Sequence, residues 1–152
     1  MQVREVGLEA CPDIAALEAV CFDVPWSITF VRSLLDDGLT RVWEARTSRG
    51  TVGTALLRAV AGEGELLRIA VHPDARRQGI GHALLGAVLS AGADACPLGV
   101  FLEVRASNVA ARRLYASEGF IDHGRRRDYY DAPREDAILM RWRPMVETAE
   151  GR

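Results

Sequence analysis

The hydrophobic and polar residues of the first forty positions change from the period of a strand to that of a helix. Residues 3–6 can form a short strand, and a stripe at helical spacing then runs up to the break at Pro25. That stripe consists of Ile14, Leu17, Glu18 and Cys21. Ser27 is suited to cap a second helix, whose apolar stripe ends at Gly38. One strand and two helices are therefore predicted.

From residue 40 onward the pattern becomes that of strands joined by short turns. Mainly apolar stretches at 41–47, 52–60 and 66–71 are separated by turns at 48–50 and 62–64. Turns of this length connect antiparallel neighbours. We therefore expect these three stretches to form an antiparallel meander.

The second half of the chain alternates helix and strand. A helix at 79–95, an apolar strand at 98–104 and a helix at 108–118 are followed by strands at 121–130 and 137–142. Strand, helix, strand, helix is the order of a βαβα unit, which pairs its strands in parallel. The sequence therefore predicts an α/β fold with about seven strands in a mixed sheet, flanked by about four helices.

Length and composition limit the classes of protein that fit. The 152 residues, 49% of them hydrophobic, suggest one domain over 1–145 and a flexible polar tail at 146–152. The 19 basic residues are all arginine and face 21 acidic ones, so no cationic field favours direct contact with nucleic acid or membrane. The absence of lysine excludes a P-loop nucleotidase.

Other features indicate a cytoplasmic protein without a metal. No stretch has the roughly 18 successive apolar residues of a membrane span, and the N-terminus lacks the pattern of a leader. The 3 cysteines are odd in number and show no close pairing, which suits a reducing compartment. The 3 histidines lie without metal-ligand spacing, so no metal site is expected.

A loop with two glycines precedes the helix at 79–95. In Arg76-Arg77-Gln78-Gly79-Ile80-Gly81 the missing Cβ atoms allow an anion to approach backbone N–H groups at the positive end of a helix. Leu84 stands where the dinucleotide fingerprint requires a third glycine, which disfavours a nicotinamide cofactor. Two glycines alone are more typical of an ordinary helix start with solvated arginines.

The context of this loop resembles the GCN5-related N-acetyltransferase superfamily. The pyrophosphate loop of that family reads Arg/Gln-x-x-Gly-x-Gly/Ala, which Arg76, Gly79 and Gly81 match. The resemblance implies a GNAT-like fold and acetyl-CoA as cosubstrate. It also implies that the strand before the loop holds the thioester, so that the backbone amides of Ile69, Ala70 and Val71 contact the acetyl carbonyl and the pantetheine arm.

Glu103 and Tyr115 are the candidates for proton transfer. Glu103 is the single carboxylate in the apolar strand 98–104, where we expect burial, which raises the pKa of a carboxyl group toward that of a base. An ion pair with Arg105 or Arg112 is the alternative. Asn108 and Tyr115 share a helix face, and Tyr115 can donate a proton to a thiolate or serve as core packing.

Longer strings resemble a narrower family, the bacterial ribosomal-protein alanine N-acetyltransferases. The matching strings are Pro25-Trp26-Ser27, Ile69-Ala70-Val71, Arg77-Gln78-Gly79, Leu102-Glu103-Val104-Arg105-Ala106-Ser107-Asn108, Leu114-Tyr115, Gly119-Phe120, Tyr129-Tyr130 and Glu135-Asp136-Ala137. The resemblance implies acetylation of the N-terminal alanine of ribosomal protein S18. It assigns Glu103 as proton acceptor, Tyr115 as proton donor and Asn108 as a coenzyme contact. Asp128 departs from the asparagine expected there.

Three sets of site residues follow from the residues and the resemblance together. The catalytic residues are Glu103 and Tyr115. The coenzyme set is Ile69, Ala70, Val71, Arg76, Arg77, Gln78, Gly79, Ile80, Gly81, His82 and Asn108. The acceptor set is Trp26, Ser27, Tyr129 and Tyr130, which we expect to border a cleft for a protein N-terminus. Acidic side chains are expected to complement basic acceptor residues, the candidates being Asp36, Asp37, Glu135 and Asp136.

Two other functions stay open from the sequence. The acceptor can be a lysine side chain or a small amine, and the protein can be a noncatalytic sensor that binds acyl-CoA. A sensor would keep the loop at 76–81 but would need neither Glu103 nor Tyr115, so the presence of both favours an enzyme.

Overall fold

The computed structural model describes residues 1–145, so the tail expected at 146–152 lies outside the described residues. Within them lie seven strands and four α-helices, as predicted. They are β1 (Gln2–Val6), α1 (Cys11–Cys21), α2 (Ile28–Asp36), β2 (Thr40–Thr47), β3 (Gly50–Val60), β4 (Glu63–Val71), α3 (Ile80–Ala95), β5 (Val100–Arg105), α4 (Val109–Ser117), β6 (Ile121–Asp131) and β7 (Arg134–Trp142). Short 3-10 helices lie at Leu8–Ala10 and Pro73–Ala75.

All seven strands form one mixed sheet in the order β1-β2-β3-β4-β5-β7-β6. The predicted meander is confirmed, since β2, β3 and β4 pair antiparallel in sequence order. The βαβ unit is confirmed as well, because β4 and β5 pair in parallel. The last strand inserts between β5 and β6, so β6 forms an edge of the sheet. No helix within 1–145 is both long enough and apolar enough to cross a membrane.

The helices cover the two faces of the sheet with their apolar stripes. On one face Ile14 of α1 and Val31 of α2 pack in a cluster with Leu56 of β3. On the other face Leu84 of α3 packs in a larger cluster that includes Leu102 of β5. This division follows from the period of two along each strand, which sends successive side chains to opposite faces.

Local sequence sets the ends of two elements near the site. The Ser27 hydroxyl accepts a hydrogen bond from the Phe30 N–H at 3.1 Å, which confirms the predicted cap. β5 begins at Val100 rather than at the predicted residue 98, because Gly99 has a left-handed φ of +114°. A Cβ atom at Gly99 would lie 2.7 Å from the carbonyl oxygen of Trp142, so only glycine fits.

The feature that positions the site is the short pairing between β4 and β5. These strands pair only at Gly64–Val100 and Glu65–Phe101. Beyond that point β4 contains a bulge, since Leu56 pairs with Arg68 and Leu57 with Leu66. β5 continues beside β7 to its end, and the last residues of β4 have no strand partner on the β5 side in the described structure. A gap therefore opens between the carboxyl ends of the two central strands.

Candidate active site

A cleft of about 770 Å³ lies where the end of β4, the loop before α3 and the start of α4 meet. All of the predicted coenzyme residues except Gln78 line it. It is also lined by residues that sequence reasoning missed, namely Cys21, Phe22, Ala75, Ala110, Ala111 and Leu114. These are mostly small or apolar side chains, which carry no sequence pattern of their own beyond helical periodicity.

The backbone of the glycine loop is suited to hold an anion. Arg77 and Gly79 have left-handed φ angles of 62° and 80°, whereas Gln78 between them does not. Alternating handedness makes successive N–H groups converge, and the first N–H groups of α3 add unpaired donors at its positive end. Arg77 adopts this conformation without being glycine, which is uncommon and typical of functional loops. The Arg76 side chain donates from Nε to the carbonyl oxygen of Val71 at 3.0 Å.

The two loop glycines differ in what a side chain would do there. At Gly79 nothing lies within 4 Å of an added Cβ atom, and the left-handed backbone is what requires glycine. At Gly81 an added Cβ atom would lie 3.1 Å from Leu114, so this glycine also allows α3 to approach α4. That both glycines serve an anion stays a prediction, and Gly81 lines the cleft beside Gly79.

Gly79→Ala should weaken acetyl-CoA binding by roughly five- to thirtyfold, because alanine disfavours the left-handed backbone by about 1–2 kcal/mol. Isothermal titration calorimetry with acetyl-CoA would measure the change. Gly86→Ala in α3 is the matched control, since an added methyl group meets no atom there within 4 Å. Equal affinities for the two variants would remove the loop conformation from the coenzyme site.

Glu103 lies in a second groove, of about 360 Å³, on the sheet face opposite the buried side chains of β5. Its side chain is 29% exposed, so the expected burial is wrong. Its Oε1 atom forms an ion pair with Nε of Arg126 at 3.3 Å rather than with Arg105 or Arg112. The strand looks apolar because Leu102 and Val104 face the core, whereas Glu103 faces the groove.

Tyrosines from β6 surround this carboxylate. Hydrogen bonding with Glu103 raises the pKa of Tyr129, which is 47% exposed and whose ring lies edge-on to that of Tyr130, with centres 5.0 Å apart. Burial, and secondly the Glu103 charge, raise the pKa of Tyr130. The Arg105 guanidinium lies 4.2 Å from the Tyr130 ring centre. The predicted acceptor tyrosines therefore share one environment with Glu103.

A bulge in β6 places these groups. Arg126 pairs with Ala137 and Tyr130 with Glu135, so three residues of β6 lie opposite Asp136 alone. Asp128 adopts a left-handed φ of 51° in this bulge, and its N–H donates to the Asp136 carboxylate at 2.9 Å. Short polar residues tolerate that conformation best, so aspartate replaces the expected asparagine without changing the backbone requirement.

Tyr115 lies on the other side of β5, in the core beneath the sheet, and is 7% exposed. Burial raises its pKa to about 12, and Tyr130 contributes to the shift. The phenol is therefore protonated at neutral pH. Its ring packs against Phe120 with centres 5.7 Å apart, so the alternative role as core packing is also realised.

The Acetyltransferase (GNAT) family matches residues 11–120. The chain belongs to this family. Over 88 residues this GNAT chain is 46% identical to the ribosomal protein bS18-alanine N-acetyltransferase of Escherichia coli K12, a stretch that spans 57% of the chain and 60% of that relative.

Solved structures extend the likeness over the whole fold. The crystal structure of the ribosomal-protein-S18-alanine N-acetyltransferase from Escherichia coli matches with a TM-score of 0.87 and 31% identity, over 97% of each chain. Arabidopsis thaliana NAA60 in complex with acetyl-CoA matches with a TM-score of 0.80 over 93% of this chain and 97% of that one. At 21% identity the second likeness shows the GNAT fold alone.

Trp26 and Ser27, the predicted acceptor residues between α1 and α2, both contact Phe30 of α2. The Ser27 hydroxyl caps α2, and the half-buried Trp26 ring lies edge-on to Phe30 at 5.3 Å. Sequence reasoning missed Arg68, whose guanidinium lies 4.3 Å from the Trp26 ring centre. One sequence feature could have identified it: Arg68 is a charged residue within the apolar part of β4, just as Glu103 is within β5.

The pKa of Tyr115 predicts a loss of stability at alkaline pH. The unfolded chain loses the phenol proton near pH 10, while the folded chain keeps it up to about pH 12. The free energy of unfolding should therefore fall by about 2–3 kcal/mol across this window. Urea unfolding at several pH values should show a shallower fall for Tyr115→Phe than for the wild type. Equal falls with pH in the two proteins would contradict the raised pKa of Tyr115.

Proposed function

We propose that this GNAT protein transfers the acetyl group of acetyl-CoA to the α-amine of a protein N-terminus, with the N-terminal alanine of ribosomal protein S18 as the candidate acceptor. The observation that carries the proposal is the gap between β4 and β5, which lies between the loop suited to an anion and the groove of Glu103. The names of the Escherichia coli relatives support the acceptor. A ribosomal protein as acceptor implies action in the cytoplasm.

The coenzyme would enter on the side of the loop. Its pyrophosphate would lie on the N–H groups of Arg77 to Gly81, and its pantetheine arm beside the unpaired edge of β4 at Ile69, Ala70 and Val71. His82 and Asn108 line the same cleft. The Asn108 side chain caps α4 by accepting from the Ala111 N–H at 3.2 Å, so its second contact would be made by its amide nitrogen.

The reaction forms a C–N bond and breaks the C–S bond of the thioester. The amine nitrogen attacks the acetyl carbon, and its proton passes to Glu103 directly or through water. Backbone N–H groups along the end of β4 would donate hydrogen bonds to the acetyl oxygen as it gains negative charge. The thiolate leaves and takes up a proton. Glu103 is accessible from the groove, which suits transfer through water.

Tyr115 would act as a hydrogen-bond donor to the leaving sulfur. A coenzyme thiol resembles cysteine, with a pKa of about 8.5, so complete transfer from a phenol with a pKa of about 12 is uphill by roughly 5 kcal/mol. Hydrogen bonding during C–S cleavage stabilises the developing charge without that cost. The raised pKa therefore favours assistance by the Tyr115 proton over its full release.

The chemistry of the amine favours an N-terminus over lysine. An α-amine has a pKa of about 7.7–8.0 and a lysine amine about 10.4, so the neutral nucleophile is far more abundant for the first. Lysine or small-amine acceptors are the second candidate, and a noncatalytic acyl-CoA sensor the third. The carboxylate of Glu103 in the groove and the protonated phenol of Tyr115 on the other side of β5 favour an enzyme over a sensor.

The groove of Glu103 supports an acceptor with basic residues, because its two arginines, Arg58 and Arg126, are each paired with a carboxylate. The carboxylates that remain are other ones than expected. Asp37 is paired with Arg58 at 3.2 Å, and Asp136 with Arg125 at 2.8 Å. Glu135 is held by Arg105 and the Ser107 N–H, so of the four expected carboxylates only Asp36 lacks such a partner within 1–145. Glu63 and Glu65 line the groove of Glu103 instead, and neither forms an ion pair among the described residues.

Substituting both groove carboxylates should raise KM for a basic acceptor. Glu65 pairs with Phe101, two residues from Glu103 on the same face, so a side chain next to the acetylated residue can reach it. In Glu63→Gln with Glu65→Gln, we expect KM for a peptide beginning Ala-Arg to rise about five- to tenfold. The same peptide with serine in place of arginine should change little. Equal effects on both peptides would exclude charge recognition in the groove.

The proposed function is tested by incubating the protein with acetyl-CoA and a peptide carrying the S18 N-terminus. Tandem mass spectrometry should locate one acetyl group on the α-amine of the first residue. Since the chain contains no lysine, acetylation of its own side-chain amines cannot obscure the result. Binding of acetyl-CoA without transfer to any amine would favour the sensor.

A further inference from the structure

We infer that Arg68 is a positioning residue that fixes the acceptor-side wall of the site by holding the loop between α1 and α2. The inference rests on the proposed function, because that loop carries Trp26 and Ser27. It concerns the choice and placement of the acceptor rather than the chemical step.

The bulge in β4 directs Arg68 to the helix α1. Leu67 is the extra residue of this bulge, and it packs in the α1–α2 cluster. The side chain of Arg68, which follows it, reaches Glu18 of α1 with Nη2 3.1 Å from Oε1. Bulges near active sites often redirect one side chain in this way. Arg68 therefore follows the bulge, beyond Glu65, where the pairing of β4 with β5 ends.

The guanidinium of Arg68 joins both ends of the α1–α2 loop. It lies 3.7 Å from the ring centre of Phe22 at one end and 4.3 Å from that of Trp26 at the other. Glu18 completes the arrangement by accepting a hydrogen bond from the Trp26 N–H at 2.9 Å. A planar guanidinium can stack on two rings and pair with a carboxylate at once, which an ammonium cannot.

The carboxylate of this ion pair is buried, and both partners have a polar atom without a hydrogen-bond partner among the described residues. Glu18 is 1% exposed, and its Oε2 atom and Nε of Arg68 have no hydrogen-bond partner within the described residues. Burial raises the pKa of Glu18 and lowers that of Arg68. Apolar residues of similar volume would often serve stability as well or better than such a pair. Its geometric role, holding two aromatic rings in place, accounts for its presence.

The arrangement links the two sides of the active site. Phe22 lines the coenzyme cleft, whereas Trp26 belongs to the expected acceptor wall. Because one guanidinium contacts both rings, its removal would free the loop at both ends. Loosening the loop should therefore weaken acceptor binding before it affects the coenzyme, which is bound mainly by backbone groups of the glycine loop.

The test separates positioning from stability by restoring the charge balance. Arg68→Gln leaves Glu18 buried without its partner and should be destabilised, whereas Arg68→Gln with Glu18→Gln removes both charges and should recover stability. In that double variant we expect KM for the acceptor peptide to rise roughly tenfold or more, with kcat and acetyl-CoA affinity within about threefold of wild type. Arg68→Lys, which keeps the charge but not the stacking, should raise KM similarly.

A control variant and a hydrogen-exchange measurement distinguish the possible outcomes of this test. Arg41→Gln, which breaks an ion pair of 2.7 Å between β2 and Glu5 of β1, should leave KM unchanged. Hydrogen exchange of the Trp26 amide should accelerate in every Arg68 variant, whatever the acceptor. Wild-type KM and slow Trp26 exchange in a folded Arg68→Lys protein would overturn the inference. Failure of the wild type to acetylate any N-terminus would refute the proposed function instead, while accelerated exchange would still uphold the role of Arg68 in the loop.

Discussion

Glu103→Gln is expected to lower turnover by about a hundredfold or more while acetyl-CoA affinity stays unchanged, because an amide cannot accept the proton of the attacking amine. The substitution keeps the shape of the side chain. It also keeps one acceptor oxygen for Arg126, which now lies 3.3 Å from the carboxylate. Stopped-time acetylation of the acceptor peptide would measure turnover, and calorimetry would measure coenzyme binding.

Asp94→Asn is the matched control for this prediction, since it neutralises an exposed carboxylate near the end of α3, away from both clefts. Its turnover should equal that of the wild type. The loss in Glu103→Gln should also become smaller as the pH rises, because a larger fraction of the acceptor is then already deprotonated. Turnover close to wild type in Glu103→Gln at neutral pH would leave catalysis to positioning alone.

The fold could be predicted in large part because neighbouring residues in the sequence determine most of its helices, strands and turns. The stripe through Ile14 and Leu17 and the glycine turns between β2, β3 and β4 depend on neighbouring residues only. The insertion of β7 between β5 and β6 depends on pairing between distant segments, which no local period reveals. The Leu67 bulge that ends the β4–β5 pairing is equally invisible in the sequence, although it opens the site.

The candidate site could be predicted by residue type but not by environment. The glycines of the loop could be recognised by residue type, whereas the left-handed φ of Arg77 has no sequence signature. The burial expected for Glu103 was wrong because an apolar run does not reveal which face of a strand lacks a covering helix. The pairing of Glu18 with Arg68 depends on how α1 packs on β4, so it emerges only from the structure.

The second large effect that we expect is a faster acetylation of an N-terminal amine than of a lysine side chain. At neutral pH the neutral form of an α-amine exceeds that of a lysine amine by roughly two to three orders of magnitude, since their pKa values differ by about 2.5 units. A base that is accessible to solvent, as Glu103 is, suits this easier deprotonation. We therefore expect the rate ratio between the two kinds of acceptor to approach that difference when their KM values are similar.

Two synthetic peptides of one sequence test this central claim most directly. One begins with a free N-terminal alanine followed by arginine, and the other is blocked at its N-terminus but carries an added lysine. Initial rates with acetyl-CoA at neutral pH, with the acetylated atom located by tandem mass spectrometry, should favour the free N-terminus by at least about a hundredfold. Faster acetylation of the blocked, lysine-bearing peptide would contradict the account and establish the side-chain amine as the acceptor.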